Sequence, residues 1–160
     1  MTDPGGARPA LRFLAGGRAW LRREWGARPL WARWVLAGYL AGFADGTGAH
    51  LLAAARSGID AYAAFPQAWQ RVLLASLVVL DPLVVVLVAL VRRAGIVLAG
   101  AVMAADLAAN LTGNWAGIQR HPGGLLLSAG LLWIGLFGLF VLVTLVPLLR
   151  AGDAARARVS

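Results

Sequence analysis

Three aspartates, Asp45, Asp81 and Asp106, stand inside stretches that are otherwise almost wholly apolar. The sharpest case is LVVLDPLVVVLVALV over residues 77–91, where Pro82 directly follows Asp81. An ionised carboxylate facing lipid costs several kcal/mol, so such side chains turn inward and find partners. Asn110 falls one turn beyond Asp106 on the same helical face. With a rise of about 1.5 Å per residue, Asp45 and Asp106 each lie about 18 Å from the inner ends of their spans. Asp81 lies about 14 Å from the outer end of its own on the same count. All three should therefore share a layer between the midplane and the outer third. No arginine sits within the spans to neutralise them, so they cannot all be charged at ease, and a shared proton or a neutral acid is expected.

That chemistry suits a protonated aspartate acting as general acid toward an alkene or epoxide. A second carboxylate and aromatic faces would stabilise the resulting cation. Asp45, Asp81 and Asp106 are accordingly the candidate catalytic residues. Tyr39, Thr47, His50, Tyr62, Asn110, Trp115 and Trp133 are the candidate ligand-binding residues, with Ser128 a further polar partner. The expectation is a polar pocket in the outer half of a bundle, opening outward or sideways. The plainer alternative is that these groups only hydrogen-bond helices to one another. Pro82 removes a backbone donor and should free the carbonyl of Val78, kinking the helix beside Asp81 and making room there.

The elements that would position these groups are set by composition. The chain has 160 residues, 60% hydrophobic and 14% charged, well below the roughly 25% charged residues of a soluble domain. Four apolar stretches, approximately 33–54, 72–91, 94–113 and 124–149, each reach the roughly 20 helical residues needed to cross a hydrocarbon core. Short links make neighbours antiparallel. The expected fold class is thus all-α, a four-transmembrane-helix bundle over 31–150. It is preceded by an Arg-rich segment, 1–30, and followed by a short basic tail, 151–160. All fifteen basic residues are arginine. Arg8, Arg12, Arg18, Arg22, Arg23, Arg28 and Arg33 precede or open the first span; Arg92 and Arg93 fill the second-to-third turn; Arg150, Arg156 and Arg158 follow the fourth span. Only Arg56, Arg71 and Arg120 fall in the other loops. That asymmetry puts both termini in the cytoplasm of what the Arg-, Ala- and Leu-rich composition suggests is a bacterial cell membrane.

The N-terminal segment lacks the short apolar core and A-x-A-like site of a signal peptide. Residues 1–10 read as disordered, and 11–30 as an interfacial helix dipping Trp20, Leu21 and Trp25 into headgroups. Trp31 and Trp34 suit an inner aromatic belt, Trp69 and Trp115 an outer one. In the first outer loop, Ser57-Gly58-Ile59-Asp60 resembles a capping box, and Ile59, Tyr62 and Phe65 recur at helical spacing before Pro66. A short amphipathic helix lidding the bundle is expected there. Gly38, Gly42 and Gly46 form a doubled G-x-x-x-G that would let another helix, from this chain or a second copy, approach closely.

The net charge of +8 is gathered at helix ends rather than in a stripe, which suits anionic headgroups and argues against nucleic acid. No nucleotide-binding, zinc-protease or nucleophile-elbow motif occurs, so no cofactor is expected. Asp45 and His50 fall on different helical faces, which argues against a metal site with Asp81. His121 reads as a solvated loop residue. With no cysteine there is neither a disulfide nor thiolate chemistry.

Four spans, an acid late in the first (Asp45), an acidic outer loop (Asp60) and an acid followed by proline in the second (Asp81) resemble the EXPERA domain. That is the four-helix membrane fold of the emopamil-binding protein and sigma-2 receptor group. The resemblance covers residues 33–149 in outline and implies a buried acidic pocket for an amphipathic or sterol-like ligand. The chain departs from the pattern in having aspartate where the family's second span usually has glutamate, and in Asp106 and Asn110.

The leading expectation is therefore an intramembrane site for a hydrophobic, isoprenoid- or sterol-like small molecule, equipped for acid-assisted isomerisation or cyclisation. Two alternatives rest on other features. Gly-rich faces would serve a non-enzymatic membrane subunit or a homo-oligomer. The acids could instead relay protons in a small transporter, although no polar residues continue that path through the inner half.

Overall fold

The computed structural model describes residues 17, 19–121, 123–124 and 129–157. Most of the Arg-rich segment, Ser128 and the last three residues lie outside these, and with them the expectations made for residues 1–16. Every regular element among the described residues is helical. They are α1 (residues 19–26), α2 (Leu30–Ser57), a 3-10 turn (Gly58–Tyr62), α3 (Ala68–Ala89), α4 (Arg93–Gly113), α5 (Trp115–Arg120) and α6 (Ala129–Ala157). Three helical stretches, Ala68–Ala89, Arg93–Gly113 and Gly130–Ala154, are long and apolar enough to cross a membrane. The helix α2, with 28 residues, has the length but is not among them. Arg33, Asp45, Thr47 and His50 and its four glycines dilute its hydropathy.

The long helices pack in sequence order, α2 on α3, α3 on α4 and α4 on α6, with a thinner contact closing α6 back onto α2. They run up and down. Gln70 near the start of α3 meets Thr112 at the end of α4, while Arg93 at the start of α4 meets Asp153 near the end of α6. Leu36, Val84, Val88, Ile96 and Leu148 fill the half of the core nearer the α3–α4 turn, each less than 2% exposed. Tyr39, fully buried, ties α2 to α6 by donating to the Val141 carbonyl at 2.7 Å and lying 3.0 Å from Thr144 Oγ1.

Helix ends follow local chemistry, with differences from the sequence expectations. The fourth span was expected to end near 149, yet α6 continues to Ala157, where the Arg93–Asp153 pair (2.7 and 2.9 Å) ties its last turns to α4. α3 runs unbroken through Pro82. The outer-loop element is a 3-10 turn of five residues without a side-chain cap at Ser57. Gly58, at φ 57°, takes the left-handed conformation there that side chains rarely adopt, so α2 stops too abruptly for a new α-helix. The reciprocal polar start expected at Ser57 occurs instead at α3, where Gln67 N–H donates to Gln70 Oε1 at 3.2 Å.

At its far end α3 closes in a Schellman arrangement. Arg92 N–H donates to the Leu87 carbonyl (2.9 Å) and Val91 N–H to that of Val88 (2.8 Å). The left-handed position is held by Val91 at φ 53°, where glycine is usual; a β-branched residue there costs about 1–2 kcal/mol, offset by burying its side chain. α1 docks beside this turn. Trp25 Nε1 donates to the Ala89 carbonyl at 3.0 Å, and Arg92 lies over Trp20 at 5.6 Å. Trp20 and Trp25, expected to dip into headgroups, thus also contact the protein.

The glycine stripe of α2 faces a sister helix. An added Cβ would strike Phe140 at Gly38, Phe137 at Gly42, and Asp81 Oδ2 at Gly46. Gly48, off the stripe, has no such neighbour. Gly42→Leu should therefore lower stability by about 1–3 kcal/mol, because the ring of Phe137 must be displaced. Gly48→Ala should raise it by up to about 1 kcal/mol through helix propensity alone. Denaturant unfolding in detergent checks both.

Candidate functional site

Where α2, α3, α4 and α6 diverge from the filled end of the bundle, they enclose a cavity of about 330 Å³. Asp45, Asp81 and Asp106 all line it, contributed by three different helices. What they share is this lining: counted along the observed helices, Asp81 stands eight residues from the end of α3, and Asp106 thirteen from the start of α4. Their environments differ. Asp81 is 4% exposed, Asp106 is half-buried and Asp45 is exposed, so Asp45 stands at the rim and Asp81 at the back.

Apolar walls separate the acids. Phe43 and Leu74 are buried side chains of its lining, Val102 and Met103 line it from α4, and Phe137 meets Phe43 edge-on at 5.4 Å. Phe65, on the loop after the 3-10 turn, packs into the same space. Trp133, 56% exposed, stands on the α6 edge, so the α2–α6 side is the more open one.

Polar connections run from the acids in two directions. Asn110 Nδ2 donates to Asp106 Oδ1 at 2.8 Å and to the Asp106 carbonyl at 3.0 Å. His50 Nε2 lies 3.7 Å from Asp81 Oδ2, and its Nδ1 is 2.5 Å from the Tyr62 hydroxyl. A neutral imidazole with its proton on Nε2 would accept from Tyr62 and present N–H toward Asp81. The chain Asp81–His50–Tyr62 thus leads from the buried acid to the loop above it. Burial pushes the Tyr62 phenol up from its ordinary value, and the carboxyls of Asp106 and then Asp81 push it the same way.

The expected ligand-binding residues divide. His50, Tyr62, Asn110 and Trp133 line the cavity with the three acids. Tyr39 does not, because its hydroxyl is committed to α6 lower in the core. Thr47 donates to the Phe43 carbonyl of its own helix at 2.7 Å, and Trp115, 56% exposed, stands apart on α5. Ser128 lies outside the described residues. Asp45 and His50, placed by helical angle on different faces, nonetheless line one cavity, because its wall on α2 is broad. Among the described residues no group of three potential ligands is arranged to hold a metal.

Sequence reasoning overlooked the aromatic walls and Gln70. The spacing Trp133, Phe137, Phe140 on α6 matches the glycine stripe opposite and could have revealed the former. Gln70 is fully buried; its Nε2 donates to Thr112 Oγ1 (2.9 Å) and the Ala109 carbonyl (3.3 Å), fixing α3 to α4 above the cavity.

No family model, curated protein or solved structure matches the chain.

Replacing Asp106 with Asn should lower the Tyr62 titration midpoint toward that of a free phenol, since a neutral amide no longer opposes the phenolate. The chain has two tyrosines, so NMR of ring-labelled tyrosine gives two signals, assigned through Tyr39→Phe. An unchanged midpoint would place the carboxyl away from Tyr62.

Proposed function

We propose that the chain is a four-span membrane protein whose cavity binds a hydrophobic small molecule of isoprenoid or sterol type. The observation that carries this reading is three carboxyl groups from three helices facing one space with aromatic and aliphatic walls, and no arginine among its lining residues. Groups that merely glued helices together would face one another in contact, as Gln70 and Thr112 do. These instead border empty volume. At about 330 Å³ the cavity is at the lower end of the roughly 300–1,000 Å³ typical of ligand sites, so a longer hydrocarbon would leave its tail at the Asp45–Trp133 rim. Entry there would be lateral, from the lipid.

In this reading α2 is the fourth span, its weaker hydropathy reflecting the polar residues that it turns toward the cavity and the close packing of its glycines. The arginine asymmetry puts both termini in the cytoplasm. The acidic positions shared with the EXPERA domain support the assignment at Asp45 and Asp81; Asp60 is exposed and does not line the cavity. Partner recruitment through the glycine stripe is disfavoured because Phe137 and Phe140 already occupy it. Proton-coupled transport is disfavoured because Leu36, Val84, Val88 and Leu148 close the bundle below the acids.

The arrangement is equipped for acid-assisted double-bond isomerisation. Asp81 would add a proton to one alkene carbon, the aromatic walls would stabilise the tertiary cation, and Asp106 would accept a proton from the neighbouring carbon. One proton enters and one leaves, so no oxidant or reductant is needed.

Photoreactive cholesterol and a photoreactive isoprenoid alcohol are suitable probes. Labelling should map to cavity residues, and Met103→Trp, which fills the space, should abolish it. Asp81→Asn should lower labelling by about tenfold, equivalent to about 1.4 kcal/mol, with unchanged folded yield. Labelling spread evenly over lipid-facing residues in all three proteins would sink the proposal.

A further inference from the structure

At the opposite end of the bundle a second cavity, of about 300 Å³, lies between α1 and the α3–α4 turn. Its charged lining is Arg28, Arg92 and Arg93 against Glu24, with Trp20, Leu90 and Val91 forming an apolar edge. We propose that this crevice is a binding site for a phosphate group, most naturally that of an anionic lipid with a hydroxyl-bearing headgroup.

Arg28 is buried, and Arg92 and Arg93, although exposed, are each held by a contact. Arg28 is 6% exposed and its guanidinium packs against Gly152 of α6, where an added Cβ would meet Nη1 at 2.6 Å. Arg92 is held over the Trp20 ring and makes no ion pair among the described residues. Arg93 is already paired with Asp153, and so backs the site rather than supplying its main contact. Guanidinium forks match phosphate oxygens bidentately, which a point-charge ammonium does not. Arg92 is also the residue from which α4 starts, with no acidic residue in the first turn and no side-chain cap. The start of α4 therefore adds to the positive field of these arginines.

Two further features narrow the ligand. Glu24 would repel a second negative charge or a bare anion but can accept from a hydroxyl on the group bearing the phosphate. Trp20, Leu90 and Val91 supply the apolar edge that the root of an acyl chain would meet at a membrane interface. The strained left-handed Val91 is part of the same turn and fixes where Arg92 and Arg93 project. This site is separate from the acidic cavity, so its failure would leave the proposed function untouched.

The test is native mass spectrometry of the full chain in neutral detergent, titrated in parallel with phosphatidylglycerol, phosphatidylcholine and inorganic phosphate. Phosphatidylglycerol should be retained at least about fivefold better than phosphatidylcholine. Arg92→Gln should reduce that retention about tenfold, the scale of one charge-assisted hydrogen-bonded pair. Arg92→Lys should fall between, and Arg150→Gln, an exposed arginine of α6 outside the crevice, should change nothing. Retention resistant to millimolar phosphate assigns a lipid headgroup. Displacement by phosphate assigns a soluble phosphate ligand at the same residues. Equal retention of both lipids together with no Arg92-dependent phosphate binding overturns the proposal, as does an equal loss in Arg92→Gln and Arg150→Gln.

Discussion

The constraint on which the rest depends is the cost of a carboxyl group in apolar surroundings with no cation beside it. Asp81 is buried in α3 amid aliphatic residues, and the nearest polar company comes from His50 on the neighbouring helix. Such a group is tolerated only if other polar atoms or a ligand meet it. The bundle answers by gathering Asp106, Asn110, His50 and Tyr62 around one space and leaving that space unfilled. Between the helices, the core nearer the α3–α4 turn is filled by Leu36, Val84, Val88 and Leu148, and the other half carries this polar set around a cavity. On that division rests the proposal that the cavity binds a small hydrophobic compound.

The fit of α6 rings onto the glycines of α2 is the complement of that opening. Gly38 and Gly42 admit the rings of Phe140 and Phe137, which bring the two helices together beneath the cavity. One turn further on, Gly46 leaves room for the Asp81 carboxyl itself. The same stripe therefore packs tightly at one end and makes space for the acid at the other. Phe43 and Tyr39 stack against these rings, so floor and core form one aromatic cluster.

Much of this was legible in the sequence because helical rise and periodicity are nearly invariant. Counting about 1.5 Å per residue was enough to suggest that Asp45, Asp81 and Asp106 lie near one another, and all three line one cavity. The four-residue spacing of Gly38, Gly42 and Gly46 identified a close-packing face. What the sequence could not convey was rotation and competition for partners. Tyr39 looked like a site residue by type, yet its hydroxyl is taken by the Val141 carbonyl. His50 looked misdirected relative to Asp45 by helical angle, yet a broad cavity accommodates both. The 3-10 turn in place of a short α-helix follows from Gly58, whose left-handed conformation is invisible to pattern matching. The Schellman turn was hidden for the opposite reason: Val91 stands where glycine would have announced it.

The central claim is that the layer of acids encloses a ligand and does not simply join helices. An experimental density map of the chain purified from membranes tests it most directly. The account predicts elongated density between Asp81 and Asp106 reaching toward Trp133, with Phe43 and Phe137 lining that space. A bundle in which the three carboxyls hydrogen-bond only to neighbouring helices, with no space between them, would contradict it.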